Sequence, residues 1–247
     1  MPEPLSDHRP AIAWDFRSAS VAVTGAAGAL GRATVAAYLA AGARRVAALD
    51  LDADALAEAF GDDERVAAVA CDLTDAASAR DGFARAAALA GPPDAVAAIA
   101  GGFAMGPAVH ETEAALWDRM QALNVTTLRL TLAAVVPGMV ERGHGAIVTI
   151  GAAGALRGQA GMGAYTAAKS TVMRLTEAAS AELRGKGVNV NAVLPSIIDT
   201  PANRQAMPKA DPAKWVAPED LAATILFLTS PAARAIHGAL LPVVGLS

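Results

Sequence analysis

The 247-residue chain holds one cysteine, Cys71, so no disulfide can form within it. Next to a β-rich run, Cys71 reads as a small buried hydrophobe. Four histidines (His8, His110, His144 and His237) are scattered without metal-ligand spacing, and no metal site is expected. Charge is scarce, at 18% of residues with a net charge of -4, which gives no electrostatic footprint for nucleic acid. Each apolar run is interrupted by Gly, Arg, Asp or Pro before it reaches the length of a membrane span, so no membrane association is expected. The opening residues MPEPLSDHRP lack the basic start and apolar stretch of a secretory signal, which predicts a cytoplasmic protein. What the chain has in excess is small apolar residues. Hydrophobics make up 54%, much of it alanine, and this suits helices lying close on a sheet.

Short apolar runs alternate with alanine-rich helical stretches. Strands are predicted at 20–24, 45–50, 65–71, 95–100, 146–150, 188–194 and 240–244. Helices are predicted at 28–41, 51–60, 76–90, 112–139, 160–183 and 218–228. Pro137 is read as the end of the fourth of these helices, and 196–217 as irregular. Strands alternating with helices imply a parallel sheet covered on both faces, and right-handed crossovers leave a doubly wound sheet. The expectation is an α/β Rossmann-type fold: one domain with seven strands over 18–247, after an N-terminal arm at 1–17. A TIM barrel is the rival by element count, and the turn after the first strand argues against it.

That turn reads Thr24-Gly25-Ala26-Ala27-Gly28-Ala29-Leu30-Gly31. Glycines at this spacing let the backbone turn tightly, approach a pyrophosphate and seat a helix against the strand. The helix N-terminus then offers free N–H groups to the phosphates. A glycine triplet alone is weak evidence, but here it follows a strand and opens a helix. Asp50 closes the second strand, where a carboxylate can accept both adenosine ribose hydroxyls and would repel a 2′-phosphate. NAD(H) is therefore expected over NADP(H), against a competing signal from Arg44-Arg45.

Tyr165 and Lys169 stand four residues apart on one helix face. A nearby ammonium would lower the phenol from its usual value of ~10 and fit it for proton exchange. With these residues in view, the chain resembles the short-chain dehydrogenases/reductases from residue 19 to its end. The resemblance implies that Tyr165 is the general acid/base, that Lys169 holds the nicotinamide ribose and tunes Tyr165, and that Asn124 supports a proton-relay water. It implies cofactor contacts from Thr24, Gly25, Ala27, Gly28, Leu30, Gly31 and Asp50 along the first two strands. It adds Asp72 and Leu73 near the adenine, Ala100 and Gly101 after the fourth strand, and Pro195, Ile198 and Thr200 near the nicotinamide.

Two positions depart from that pattern. The usual Asn-Asn-Ala-Gly is replaced by Ala98-Ile99-Ala100-Gly101-Gly102, and Ala152 stands where the family keeps its catalytic serine. No serine or threonine occurs between Ile150 and Ala164. Dihydropteridine reductases, which also do without that serine, resemble the chain locally at 100–104, at 161–165, and at 199–211 with Trp215. The readings left open are a carbonyl/alcohol oxidoreductase, a reductase of quinonoid pterin, and a nucleotide-binding protein without chemistry. Phe103, Met105, Met162, Met207 and Trp215 could line an apolar pocket. Trp117 could lie in the core or at a subunit interface. The two long helices resemble those that pair subunits in the family, so a homodimer or homotetramer is expected, with a small-molecule substrate.

Overall fold

The computed structural model describes residues 15–61 and 63–247. Seven strands, β1 (Ser20–Thr24), β2 (Arg45–Asp50), β3 (Val66–Ala70), β4 (Ala95–Ala98), β5 (Gly145–Ile150), β6 (Val188–Pro195) and β7 (Leu240–Val243), form one sheet in the order β3-β2-β1-β4-β5-β6-β7. Every pairing is parallel. The strands carry the continuous small-apolar runs that a sheet covered on both faces requires; all of β1 and β4 is buried. The chain winds outward from β1 to β3, then returns to place β4 on the other side of β1. This reversal opens a crevice at the carboxyl ends of β1 and β4, the usual ligand position in such sheets.

Helices α1 (Ala29–Ala40), α2 (Ala53–Phe60) and α3 (Ala76–Ala90) follow the first three strands. Asp52 and Asp75 cap α2 and α3 by accepting hydrogen bonds from the backbone N–H of Ala55 (3.0 Å) and Ser78 (2.7 Å). The stretch expected as one helix over 112–139 is a composite. Helix α4 (Ala114–Gln121) runs through a π-helical turn at Ala122–Thr126 into α5 (Thr127–Arg142). Pro137 does not end it. Val135 and Met139, on either side of the proline, are both buried, and that packing outweighs the lost backbone bond. Gly143, in the left-handed conformation at φ 72°, supplies the stop.

The continuation past Pro137 also corrects the reading of apolar runs. Ala114–Arg142, at mean hydropathy 1.4, is long and apolar enough to cross a membrane by length and composition alone. In the fold, it packs against α3 and α6 (Gly163–Leu183). The segment read as irregular contains a short helix, α7 (Pro201–Ala206), and α8 (Pro218–Thr229) opens with Pro218, Glu219 and Asp220, all favourable in a first turn.

Packing reaches Phe16, inside the stretch read as an arm; residues 1–14 of that arm lie outside the described residues. The Phe16 ring is 4% exposed and meets Tyr38 edge-to-face, with centroids 5.0 Å apart. The Tyr38 hydroxyl in turn pairs with Thr229 Oγ1 at 2.8 Å, joining α1 to α8. Phe16→Ala should therefore lower the unfolding free energy by roughly 3–5 kcal/mol, measured by urea denaturation. A loss below about 1 kcal/mol would show that Phe16 adds little to the core.

Candidate active site

Two glycines of the turn, Gly25 and Gly31, are held by contacts that leave no room for a side chain. Gly25 has φ 65°, and a Cβ there would come within 3.0 Å of the Ala100 backbone. A Cβ on Gly31 would lie 2.6 Å from Ala26 Cα and closer still to the Gly25 carbonyl oxygen. A Cβ on Gly28 would meet only the Gly25 carbonyl oxygen, at 3.4 Å, so this face stays open to a close-approaching ligand. Gly28 precedes α1 without any side-chain cap, which leaves the first-turn amides for an anion. Thr24 Oγ1 accepts the Ala100 N–H at 3.1 Å and ties the ends of β1 and β4 together. Leu30 is buried in the core, so only its backbone can serve the turn.

Asp50 is tied to the same turn. Its Oδ2 accepts the Ala27 N–H (2.9 Å) and its Oδ1 the Leu51 N–H (2.7 Å). The competing arginines are engaged at the opposite end of the sheet: Arg44 donates to Ser20 Oγ at the start of β1, and Arg45 to the Leu89 carbonyl. Asp72, after β3, accepts from both the N–H (2.7 Å) and the hydroxyl (2.6 Å) of Thr74, and these bonds hold its carboxyl below the usual carboxylate range. Leu73 beside it is buried.

The second wall is built from β4, β5 and α6. Asn124, in the π-helical turn, clamps Gly102: its Oδ1 accepts the Gly102 N–H (3.2 Å), and its Nδ2 donates to the carbonyls of Gly102 and Met120 (3.0 Å each). Asn124 Oδ1 and Lys169 Nζ close on Gly101, at 2.8 and 3.3 Å from where its Cβ would be. Lys169 is buried and donates to the Ile150 carbonyl at 2.8 Å; burial pushes its ammonium down to about 8. Tyr165, one turn earlier on α6, lies edge-to-face with Phe103, centroids 4.9 Å apart. The spacing from Lys169 suggests a lowered phenol, and the fold gives the opposite. Burial pushes the phenol up to about 12, and the lysine donates its hydrogen bond to the Ile150 carbonyl.

Ala152 is 5% exposed in a small apolar cluster with Ala155, Met173 and Leu194, and Tyr165 packs against that cluster. The position expected for a serine thus belongs to the cluster that meets the tyrosine, and it carries a methyl group. Thr149, one strand residue earlier than Ile150, is buried and pairs with Thr176 Oγ1 at 2.7 Å. Pro195 is buried at the end of β6. Beyond it, Ile198 bridges to Val216, and Thr200 Oγ1 caps α7 through the Asn203 N–H at 3.2 Å.

The named residues therefore gather at the carboxyl edge of β1 through β6. Sequence reasoning missed the Ile150 carbonyl as partner of Lys169 and the clamp on Gly102. Neither leaves a side-chain signature, although the second glycine of Gly101-Gly102 marks the close approach: a Cβ on Gly102 would meet Leu123 Cδ1 at 2.7 Å. Among the suggested pocket residues, Phe103 touches Tyr165, while Trp215 is buried at the root of its segment.

A parallel sheet with a glycine turn at its switch point and a Tyr-Lys pair on the facing helix defines a nucleotide-dependent oxidoreductase. The family model for short chain dehydrogenase matches residues 19–211. The chain belongs to that family, and its relatives bear this out. It is 36% identical over 249 residues to the D-threitol dehydrogenase of Mycolicibacterium smegmatis, covering 95% of each chain. It is 37% identical over 158 residues to 2-(S)-hydroxypropyl-CoM dehydrogenase 3 of Xanthobacter autotrophicus, a match spanning 58% of this chain and 62% of that protein. It superposes with a TM-score of 0.85 on the NADH complex of a 3-ketoacyl-(acyl-carrier-protein) reductase from Brucella melitensis, at 26% identity, covering 94% of this chain and 98% of that one.

The chain has only two tyrosines, and burial raises both phenols, so their ionisation can be followed directly. Absorbance at the phenolate band should show neither tyrosine ionised at about pH 10, the usual phenol value, with the fold intact. One tyrosine titrating there, and lost in Tyr165→Phe, would contradict the burial described for Tyr165.

Proposed function

We propose that the chain is an NAD(H)-dependent oxidoreductase that interconverts a small carbonyl compound and its alcohol, with Tyr165 exchanging the proton. One observation carries the reading: Lys169 reaches the Ile150 carbonyl and Gly101 at the carboxyl ends of β5 and β4, Tyr165 stands against Phe103 of the same loop, Ala100 of that loop meets Gly25 of the glycine turn, and Asp50 is bonded to that turn through Ala27. The relatives named as dehydrogenases and a ketoacyl reductase support the carbonyl–alcohol assignment. The open face at Gly28 and the uncapped start of α1 fit a pyrophosphate, and Asp50 fits an unphosphorylated ribose. Asp72, Leu73, Ala100 and Gly101 would border the adenosine half, and Pro195, Ile198 and Thr200 the nicotinamide half. When bound, the nicotinamide would supply or accept hydride.

The residues of this chain manage the proton. A phenol raised by burial is fully protonated near neutral pH and so is loaded as a donor for reduction. The phenolate left behind needs a cation, and Lys169 on the next turn is the candidate. Asn124 holds the Gly101–Gly102 loop in place and would support a water leading to that lysine. Homodimer or homotetramer formation through the α4–α5 and α6 faces, where Trp117 is 43% exposed, and a cytoplasmic location complete the proposal.

A second reading, reduction of a quinonoid pterin, is favoured by Ala152. With alanine at the position where the family keeps its serine, a substrate that is already strongly electrophilic needs less help. A missing oxyanion donor costs roughly 2.7–4 kcal/mol in transition-state stabilisation. Ala152→Ser should therefore raise turnover of simple ketones more than that of quinonoid dihydropterin. An unchanged ketone rate in a folded variant would mean that position 152 does not face the reacting oxygen.

Cofactor choice is tested by titration. A carboxylate a few ångströms from a 2′-phosphate repels it by roughly 1–4 kcal/mol, so NADH should bind at least about fivefold more tightly than NADPH, and Asp50→Ala should narrow the gap. Tighter binding of NADPH by the unmodified protein would defeat the assignment. The proton donor is tested by Tyr165→Phe, which keeps the ring and removes the hydroxyl. It should leave NADH affinity nearly unchanged and lower turnover by roughly 10²–10⁴-fold. A variant retaining more than half of the wild-type rate, with chemistry limiting, would remove Tyr165 from the mechanism.

A further inference from the structure

The rim around Tyr165 is unusually poor in polar side chains. On one side runs the loop 101–109, Gly101-Gly102-Phe103-Ala104-Met105-Gly106-Pro107-Ala108-Val109, without a charged, hydroxyl or amide side chain. It is fastened to the start of α6: the Gly106 N–H donates to the Gly161 carbonyl at 2.8 Å, and Val109 Cγ2 lies 2.8 Å from where a Cβ on Gly163 would be. On the other side runs 151–164, whose polar side chains are Arg157 and Gln159 alone. Gln159 is committed to the Gly154 carbonyl at 3.0 Å. In the third border, the segment after Pro195, the polar groups nearest β6 are spent internally, while Gln205, Lys209 and Lys214 stand exposed. Asp199 and Arg204 form a two-bond pair (2.6 and 2.7 Å), Thr200 caps α7, and Asn203 donates to the Ile198 carbonyl at 2.8 Å.

Large apolar side chains are nevertheless left in the open here. Phe103 is 55% exposed, Met105 62%, Val109 73% and Leu156 61%. Phe103 is held from both ends, since Asn124 clamps the preceding Gly102 and the Phe103 ring meets the Tyr165 ring. A half-exposed aromatic ring fixed against the proposed proton donor is a platform for a flat ligand.

We infer that the substrate is an uncharged apolar ketone or alcohol bearing a flat ring, with Phe103 as the specificity-determining residue that seats the ring beside Tyr165. This inference rests on the oxidoreductase reading of the same site. A polyol would bring several hydroxyls to a rim that offers them few partners, and leaving polar groups unpaired is costly. An aryl ketone would instead cover Phe103, Met105 and Leu156 and gain by removing them from water. The reaction balances as proposed above. In reduction, a hydride from the dihydronicotinamide forms the new C–H bond at the carbonyl carbon, and the Tyr165 O–H bond breaks to protonate the oxygen. The ketone gains two electrons, and the cofactor loses two.

The test combines binding with turnover. Isothermal titration of 2-naphthol into the protein saturated with NAD+ should show binding, and meso-erythritol under the same conditions should show none. Phe103→Leu keeps an apolar group of similar bulk and removes the flat ring. It should weaken 2-naphthol by about threefold to tenfold, the scale of an aromatic pair, and leave NAD+ affinity unchanged. In turnover, acetophenone with NADH should have a higher kcat/KM than L-erythrulose, and Phe103→Leu should act mainly on KM. Tyr165-dependent turnover that favours L-erythrulose would overturn the inference and leave the oxidoreductase reading standing. Unchanged 2-naphthol affinity in Phe103→Leu would also overturn it. Failure of the oxidoreductase reading looks different: NADH binds and no carbonyl compound is reduced, and the binding experiment then still decides whether Phe103 seats a flat ring.

Discussion

The carboxyl edge of the sheet depends on the close seating of α1 against the end of β1, where Gly31 meets Gly25 and Ala26 without a side chain between them. That contact sets the direction of the helix, and hence where its uncapped N-terminus points. It also fixes the Ala26-Ala27 turn to which Asp50 is bonded, and through Thr24 and Gly25 it sets the position of Ala100 at the end of β4. The two walls of the crevice are therefore joined at one place, and a methyl group at Gly31 would disturb both.

Most of this was legible in the sequence. The strand runs, the glycine turn and Asp50 follow local rules, because a strand buried on both faces needs continuous small apolar residues and a pyrophosphate turn needs glycine. The elements that were misread lie where tertiary packing overrides local preference. Pro137 sits inside α5 because its neighbours are buried in the core. The π-helical turn that sets Asn124 against Gly102 has no composition of its own. The Tyr165–Lys169 spacing was read correctly as one helix face, but spacing says nothing of desolvation or of the Ile150 carbonyl, and these govern both groups in the folded chain.

The departure at Ala152 was visible from a count of residues, and the structure gives it a physical setting. Its methyl group belongs to an apolar cluster that Tyr165 packs against. The proposed centre would thus combine a buried phenol and a buried ammonium with a reduced set of hydrogen-bond donors for the substrate oxygen. Low polarity strengthens the electrostatic interactions that remain, so in the proposed mechanism the Lys169 ammonium would carry more of the work of stabilising a phenolate than it would in a wetter site.

Direct hydride transfer at this serine-less centre is the claim on which the account turns. The most direct measurement is isotopic: NADH carrying deuterium at both positions of nicotinamide C4 is turned over with the best carbonyl substrate found, whose product gains a non-exchangeable C–H bond, and the product is weighed by mass spectrometry. The account predicts one deuterium per product molecule, bonded to carbon. Product without deuterium, or a protein that binds NADH and forms no product from any carbonyl compound or quinonoid pterin, would contradict it.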